Sequence, residues 1–198
     1  QLEQKYKNKI KIIKWDYRDD NNNIIYGYAE SIHHFIKHFS KLSDWTAFID
    51  VDEFIYINAG NLTLKQYIQN YNNKNYNKLV IKQKKYADRF CNLEKAITDI
   101  DDVIIEINTY GWGIKNICKN KYLKPKQGSM HNIQVKNIKS HNCDVNKLRF
   151  NHYNINTKAV DWMKGWFKIN KFKSGKDNTM KKYKTPLCEK LNQERKYN

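Results

Sequence analysis

The sequence predicts a single α/β domain in which a central β-sheet is flanked by helices. With 198 residues, 40% of them hydrophobic, the chain is long enough for one domain with its own core. Strand-like segments alternate along it with segments whose apolar residues recur at helical spacing. The short apolar run 45–49 has the unbroken hydrophobic pattern of a strand buried on both faces, so we expect it in the interior of the sheet.

Three segments are predicted to be helices because their apolar residues fall on one side at helical spacing. They are residues 28–42, 62–71 and 158–172. The third carries a stripe of aromatic residues that includes Trp162 and Trp166. Such a stripe is more often part of a core than a platform for a sugar, so we expect it to pack inward.

Runs rich in β-branched and aromatic residues, bounded by polar turns, predict the strands of the sheet. They are residues 9–15, 45–49, 78–87, 103–105, 114–118, 130–135 and 148–153. Residues 173–198 are polar and basic, and we expect them to form a loose tail outside the domain.

The chain carries a formal net charge of +17, which would attract an anionic partner. Its lysines are spread along the sequence, and no nucleic-acid-binding motif is present. We therefore expect a solvated basic surface and no nucleic-acid partner. The functional interpretation that remains is a positive field that attracts a nucleotide diphosphate. A basic nucleic-acid-binding module is the alternative.

The four cysteines lack the spacing of a zinc site or of a Cys-x-x-Cys motif. We expect free thiols in a reducing compartment. Neither a signal peptide nor an apolar run of membrane-spanning length is visible in the sequence. Together these features favour a location on the cytoplasmic face.

An acidic sequence, Asp50-Val51-Asp52-Glu53, directly follows the apolar run 45–49. Asp50 and Asp52 share a face if the strand continues, and they converge on one ion if the chain turns. Carboxylates are hard ligands suited to Mn²⁺ or Mg²⁺, and a cation would relieve the repulsion among adjacent acids. A divalent ion there could bind a diphosphate. The alternative for an isolated Asp-x-Asp is a solvated strand end.

The acidic segment resembles that of glycosyltransferase family 92 and its family 2-type relatives, which have a GT-A fold. Looser similarities lie upstream and downstream, so that the resemblance covers residues 10–172. The matching segments are 12–15, 28–30, 45–54, 113–117, 130–132 and 150–153. The resemblance implies a GT-A-like (Rossmann-like) catalytic domain over residues 1–172, followed by the basic tail 173–198.

The resemblance also implies an activity: metal-dependent transfer of a sugar from a nucleotide-sugar donor, a UDP-sugar, to a hydroxyl acceptor, with inversion. The acceptor could be a glycan, a protein or a lipid. Such enzymes begin with a strand-helix-strand stretch that holds uracil and ribose, whereas only nine residues precede Ile10 and the first residue is Gln1. We therefore expect an incomplete nucleotide site, and a degenerate domain that only binds its donor is a second alternative.

Two histidines and one lysine enter the site through the resemblance. It implies His131 as a metal ligand beside Asp50 and Asp52, with His152 as the second candidate. Lys158 matches a basic residue that would bind the diphosphate, although Ala159 replaces the serine that follows it in the family. We expect Asp52, His131 and Lys158 to converge on one cleft.

An inverting transferase needs a general base for the acceptor hydroxyl. Asp88 directly follows the predicted strand 78–87 and is our candidate. Glu94 and Asp102 are the alternatives.

Overall fold

The computed structural model describes residues 2–6, 9–25, 27–87, 103–106, 113–127 and 129–154. The helices are α1 (Leu2–Lys5), α2 (Tyr28–His38) and α3 (Leu64–Asn72), with short 3₁₀ turns at Ser40–Leu42 and Asn120–Tyr122. The strands are β1 (Trp45–Ala47), β2 (Glu53–Ile57), β3 (Lys78–Ala87), β4 (Val103–Glu106), β5 (Ile114–Lys119), β6 (Ser140–Asn142) and β7 (Leu148–Asn154). This mixture of helices and strands confirms the α/β class.

The described strands form one mixed sheet in the order β1-β5-β3-β7-β2, with β4 and β6 also paired to β3. β3 runs parallel to β6 and β7, and the remaining pairs are antiparallel. The antiparallel register of β2 and β7 pairs Glu53, the first residue of β2, with His152 near the end of β7.

Two apolar clusters cover the two faces of the sheet. On one face, Leu79, Ile117 and Phe150 pack with Tyr67 of α3. On the other, Cys118 packs with α2 and with residues 123–135. α3 begins with a capping box in which the Thr63 and Gln66 side chains accept each other's backbone N–H groups, and Thr-x-x-Gln is a sequence typical of this cap.

The predicted interior position of residues 45–49 is wrong. Strand β1 ends at Ala47, and among the described strands it pairs with β5 alone, at the end of the sheet. Its apolar sequence has another cause. Trp45 and Ala47 pack against the α3 cluster, while Phe48 packs against Phe35 of α2. The run is apolar because it contacts an apolar cluster on each of its faces, not because strands lie on both sides.

Most other predicted elements are confirmed, but two predicted strands are wrong. Residues 9–15 are irregular and lie against α2. Residues 130–135 make one isolated bridge, between Val135 and Leu123. There the amide oxygen of Asn116 accepts the Ile133 N–H at 2.8 Å. Side chains thus replace strand partners while apolar residues still point into the core, which mimics a strand pattern. The predicted helix 158–172 lies outside the described residues.

Cys118 and Cys143 are unpaired and buried, and burial raises the pKa of each thiol to about 12. Cys91 and Cys188 lie outside the described residues. In the described part of the chain, no helix has the length and hydrophobicity needed to cross a membrane.

Gly27 precedes α2 in a left-handed conformation (φ +56°), and a β-carbon there would lie 2.5 Å from the indole nitrogen of Trp15. We expect Gly27→Ala to lower the free energy of unfolding by about 2–4 kcal/mol, because it combines backbone strain with a steric clash. Urea unfolding followed by circular dichroism measures the loss.

Gly60 is the matched control, since it has φ +67° but nothing within 4 Å of an added β-carbon. Gly60→Ala should therefore cost only the backbone strain, about 1–2 kcal/mol. Equal losses for the two variants would contradict the steric contribution at Gly27.

Candidate active site

The face of the sheet that packs on α3 is apolar at one end and polar at the other. Residues Ile81 and Phe150 belong to the apolar end. Two positions further along their strands are Gln83 and His152, which continue the same face because side chains alternate along a strand. Lys115 pairs with Ile81 across the sheet, and Glu53 pairs with His152. Strand register alone thus brings together four polar side chains, those of Glu53, Gln83, Lys115 and His152.

The acidic residues lie on a tight turn between β1 and β2. The Glu53 N–H donates to the Asp50 carbonyl oxygen at 3.1 Å, and the Glu53 carboxylate accepts the Asp50 N–H at 2.9 Å. Val51 is fully exposed at the tip. The strand therefore does not continue through Asp52, and the turn gives Asp50 and Asp52 different surroundings.

Asp50 has both carboxylate oxygens engaged. One accepts the Tyr28 hydroxyl at 2.8 Å, and the other accepts the Lys115 ammonium at 2.9 Å. Burial raises the pKa of the Asp50 carboxyl, but these hydrogen bonds and the charges of Lys115 and His131 outweigh it, so the pKa lies below its ordinary value. Burial and the hydrogen bond to Asp50 raise the pKa of Tyr28 to about 12, so its hydroxyl stays protonated.

Asp52 instead faces His152. The Asp52 carboxylate lies 3.2 Å from Nε2 of His152, and these side chains are 38% and 19% exposed. Nδ1 of His152 lies 3.1 Å from the Gln83 amide oxygen. A neutral imidazole has one N–H, so it donates either to Gln83 from Nδ1 or to Asp52 from Nε2. In the tautomer that donates to Gln83, the Nε2 lone pair is free to bind a cation.

An open cleft of about 940 Å³ lies above the acidic turn. Its floor contains Asp50, Asp52 and His152, and its walls are mainly apolar. The wall residues include Trp15, Ile24, Ile25, Tyr28, Phe35, Phe48, Ile49 and Met130. The cleft is therefore large enough for a small organic ligand that has an apolar body and an anionic group.

Comparison with known proteins decides the identity. The model of glycosyltransferase family 92 matches residues 4–191, nearly the whole chain. The chain belongs to glycosyltransferase family 92. The resemblance inferred from the acidic segment is thus confirmed, and it places the chain among the enzymes of glycosyl transfer. No curated protein matches the sequence.

The structure brings some of the predicted family 92 site residues together. Asp52 and His152 are in contact, and His131 is near enough to Asp50 to influence its pKa, although its Nδ1 lies 3.2 Å from the Ile114 carbonyl oxygen. Among the described residues, no three His, Cys, Asp or Glu side chains form a group that could hold a metal ion. A joint site of Asp50, Asp52, His131 and His152 stays a prediction.

Several other predictions for this family 92 chain fall outside the described residues. Lys158 cannot be placed relative to the cleft, and neither can the candidate bases Asp88, Glu94 and Asp102. Their roles stay predictions, as does the domain boundary between residues 172 and 173.

Sequence reasoning missed three residues of the site: Tyr28, Gln83 and Lys115. Lys115 was missed because the chain has many lysines. One signal could have identified it: it lies within the strand-like run 114–118, next to an apolar residue. A lysine on the buried face of a strand needs a charged partner, and the acidic segment supplied one. Gln83 is likewise a polar residue at a buried position of a predicted strand, β3.

Proposed function

We propose that this chain transfers a sugar from a UDP-sugar to a hydroxyl group of a glycan, protein or lipid acceptor. In this proposal the domain has a GT-A fold, and a divalent cation, Mn²⁺ or Mg²⁺, binds the diphosphate of the donor. The contact between Asp52 and His152 on the floor of the cleft is the observation that carries the proposal. Membership of a glycosyltransferase family supports the class of reaction.

The Asp52–His152 pair fits a cation that is shared with a phosphate. Two neighbouring ligands of an octahedral ion, each about 2.1 Å from it, lie about 3 Å apart. The separation of the Asp52 oxygen and His152 Nε2 is 3.2 Å. Mg²⁺ in proteins is commonly held by one or two side chains together with substrate phosphates, so two protein ligands suffice. Gln83 supplies the outer hydrogen bond that orients a ligating histidine.

The roles of the cation, the cleft walls, Lys158 and Asp88 in the proposed reaction follow from the chemistry that the transfer requires. The bound cation would stabilise the negative charge of the departing diphosphate. The apolar walls of the cleft would bind the nucleoside and exclude water, and Lys158 would add positive charge near the phosphates. Asp88 would accept the proton of the acceptor hydroxyl as that oxygen attacks the anomeric carbon, which inverts its configuration.

Calorimetry with Mn²⁺ and UDP tests this proposal. We expect binding by the wild-type chain and none by Asp52→Ala, because the loss of a carboxylate ligand removes both charge and geometry. Asp44→Ala is the matched control: Asp44 is exposed and precedes β1, at the opposite end of the same strand. Equal binding by wild type and Asp52→Ala would reject the proposed site.

A domain that only binds its donor is distinguished by a second measurement. A chain that binds Mn²⁺ and UDP but neither hydrolyses nor transfers from any UDP-sugar would be such a domain.

A further inference from the structure

Residues 9–14, which directly precede the cleft residue Trp15, form an exposed segment that mixes lysine and isoleucine. Its sequence is Lys-Ile-Lys-Ile-Ile-Lys, and all six residues are exposed. Ile10, Ile12 and Ile13 are 40%, 56% and 41% exposed, although isoleucine is among the residues most often buried. Exposed apolar residues that cluster, unlike scattered ones, mark a surface that contacts another molecule.

The segment lies against the C-terminal end of α2, where a further apolar residue is exposed. The ammonium group of Lys11 lies 4.8 Å from the centre of the Phe39 ring. The Phe39 carbonyl oxygen accepts the N–H of Leu42, which is 79% exposed, and Lys41 beside it is exposed as well. Residues 9–14 together with Lys41 and Leu42 are called the basic-apolar surface.

The charged groups of the basic-apolar surface are all cationic: they are the ammonium groups of Lys9, Lys11, Lys14 and Lys41. Lys14 lies 3.3 Å from Asp16, but these side chains are 87% and 53% exposed, so solvent screens the pair. No carboxylate of the described residues forms an ion pair with the other three lysines. Charge complementarity therefore favours a negatively charged partner.

The mixture of lysine and isoleucine fits a lipid bilayer better than a protein partner. A protein face that covered the isoleucines would also cover the lysines between them, and lysine is depleted at protein interfaces because its ammonium group is costly to desolvate. At a bilayer, apolar side chains enter the region beneath the headgroups. The long lysine side chains meanwhile keep their ammonium groups at the lipid phosphates.

We propose that the basic-apolar surface binds the chain to a membrane that contains anionic lipids. The lysines attract the headgroups, and the isoleucines and Leu42 leave water for the edge of the acyl region. This inference does not depend on the proposed transferase activity, since membrane binding requires neither a sugar donor nor a divalent cation. A nucleic acid is the other anionic partner to consider, but it offers no aliphatic interior for three isoleucines.

The contribution of charge is tested by Lys9→Gln combined with Lys11→Gln. This variant should bind vesicles of phosphatidylcholine mixed with phosphatidylserine about 20- to 30-fold more weakly, because each lysine near an anionic surface contributes about fivefold. Lys65→Gln combined with Lys147→Gln is the matched control, since it removes two exposed lysines on α3 and directly before β7. Its affinity should fall by less than about threefold, because distant exposed charges are screened.

The apolar contribution is tested at constant charge by Ile10→Ser combined with Ile12→Ser. This variant should bind the same vesicles about tenfold more weakly, because less apolar surface leaves water on binding. Leu62→Ser combined with Ile138→Ser is the matched control, with residues that are 38% and 61% exposed elsewhere on the chain. It should bind like the wild type. All four positions are exposed, so the fold should be unchanged, and circular dichroism checks this.

Vesicle flotation of the full chain and its variants decides the inference. Binding to the anionic vesicles that is weakened by both test variants, and much less by the two controls, supports it. The absence of such binding overturns it, and so does equal binding to vesicles of phosphatidylcholine alone.

Two further outcomes would also contradict the proposed surface. An equal loss in the lysine control would show diffuse attraction by the net charge of +17, and wild-type binding by the isoleucine variant would show that the surface does not enter the bilayer. Fluorescence anisotropy with a short single-stranded RNA tests the nucleic-acid alternative. RNA binding that only the lysine variant weakens, without binding to vesicles, would assign the surface to a nucleic acid instead.

Discussion

Replacing Asp88 with asparagine is expected to lower the rate constant of sugar transfer by about 10²–10⁴-fold, the usual contribution of a general base. Asparagine has nearly the same shape but cannot accept the proton of the acceptor hydroxyl. Asp88 directly follows β3, the strand that carries Gln83 and pairs with the strand of His152. The change should leave the binding of Mn²⁺ and UDP unaltered, because the role proposed for Asp88 concerns the acceptor.

Steady-state kinetics with a saturating UDP-sugar, together with calorimetry, separates the two effects. Glu94→Gln and Asp102→Asn are the matched controls, since each removes one acid from the neighbouring sequence. A wild-type rate in Asp88→Asn, with a large loss in one of the other two, would move the role of base to that residue.

Replacing Phe150 with alanine is expected to lower the free energy of unfolding by about 3–5 kcal/mol, the range for deleting a buried aromatic side chain. Phe150 is 1% exposed on β7, which lies between β3 and β2, and it packs in the cluster beneath α3. The loss combines transfer of the ring to water with the cavity that remains. Urea unfolding at a fixed protein concentration measures it.

Phe54 provides the control on the adjoining strand. It is 53% exposed on β2, and its neighbour Ile55 pairs with Phe150. Phe54→Ala should cost less than about 1 kcal/mol because little apolar surface is lost and no internal cavity forms. Comparable losses for the two variants would contradict the placement of the core.

The elements that could be predicted from the sequence are those whose pattern has a local cause. The bounds of β3 agree with the predicted strand 78–87, and α2 and α3 lie within one or two residues of predicted helical segments, apart from the 3₁₀ turn that replaces the end of the first. Strand β2 was not predicted, although Glu53–Ile57 is β-prone, because it directly follows the acidic residues without a separate turn signal such as Gly or Pro.

The wrong predictions concern segments whose hydrophobic pattern has a tertiary cause and not a local one. Residues 130–135 alternate like a strand because Ile133 and Val135 enter the core, yet their N–H partners come from distant side chains such as that of Asn116. The run 45–49 has the pattern of an interior strand because it contacts an apolar cluster on each of its faces. A hydrophobic pattern indicates which residues are buried, but it does not indicate which groups form hydrogen bonds with the backbone.

For the site, the sequence by itself determined the family, the acidic segment and the candidate ligands, since these follow from residue types and short spacing. Only the tertiary structure decided which of them meet. It joined Asp52 to His152, one hundred residues away, and it bound Asp50 to Lys115 and Tyr28. The physical reason is that strand register and a tight turn set these distances, and both depend on pairing between segments far apart in the chain.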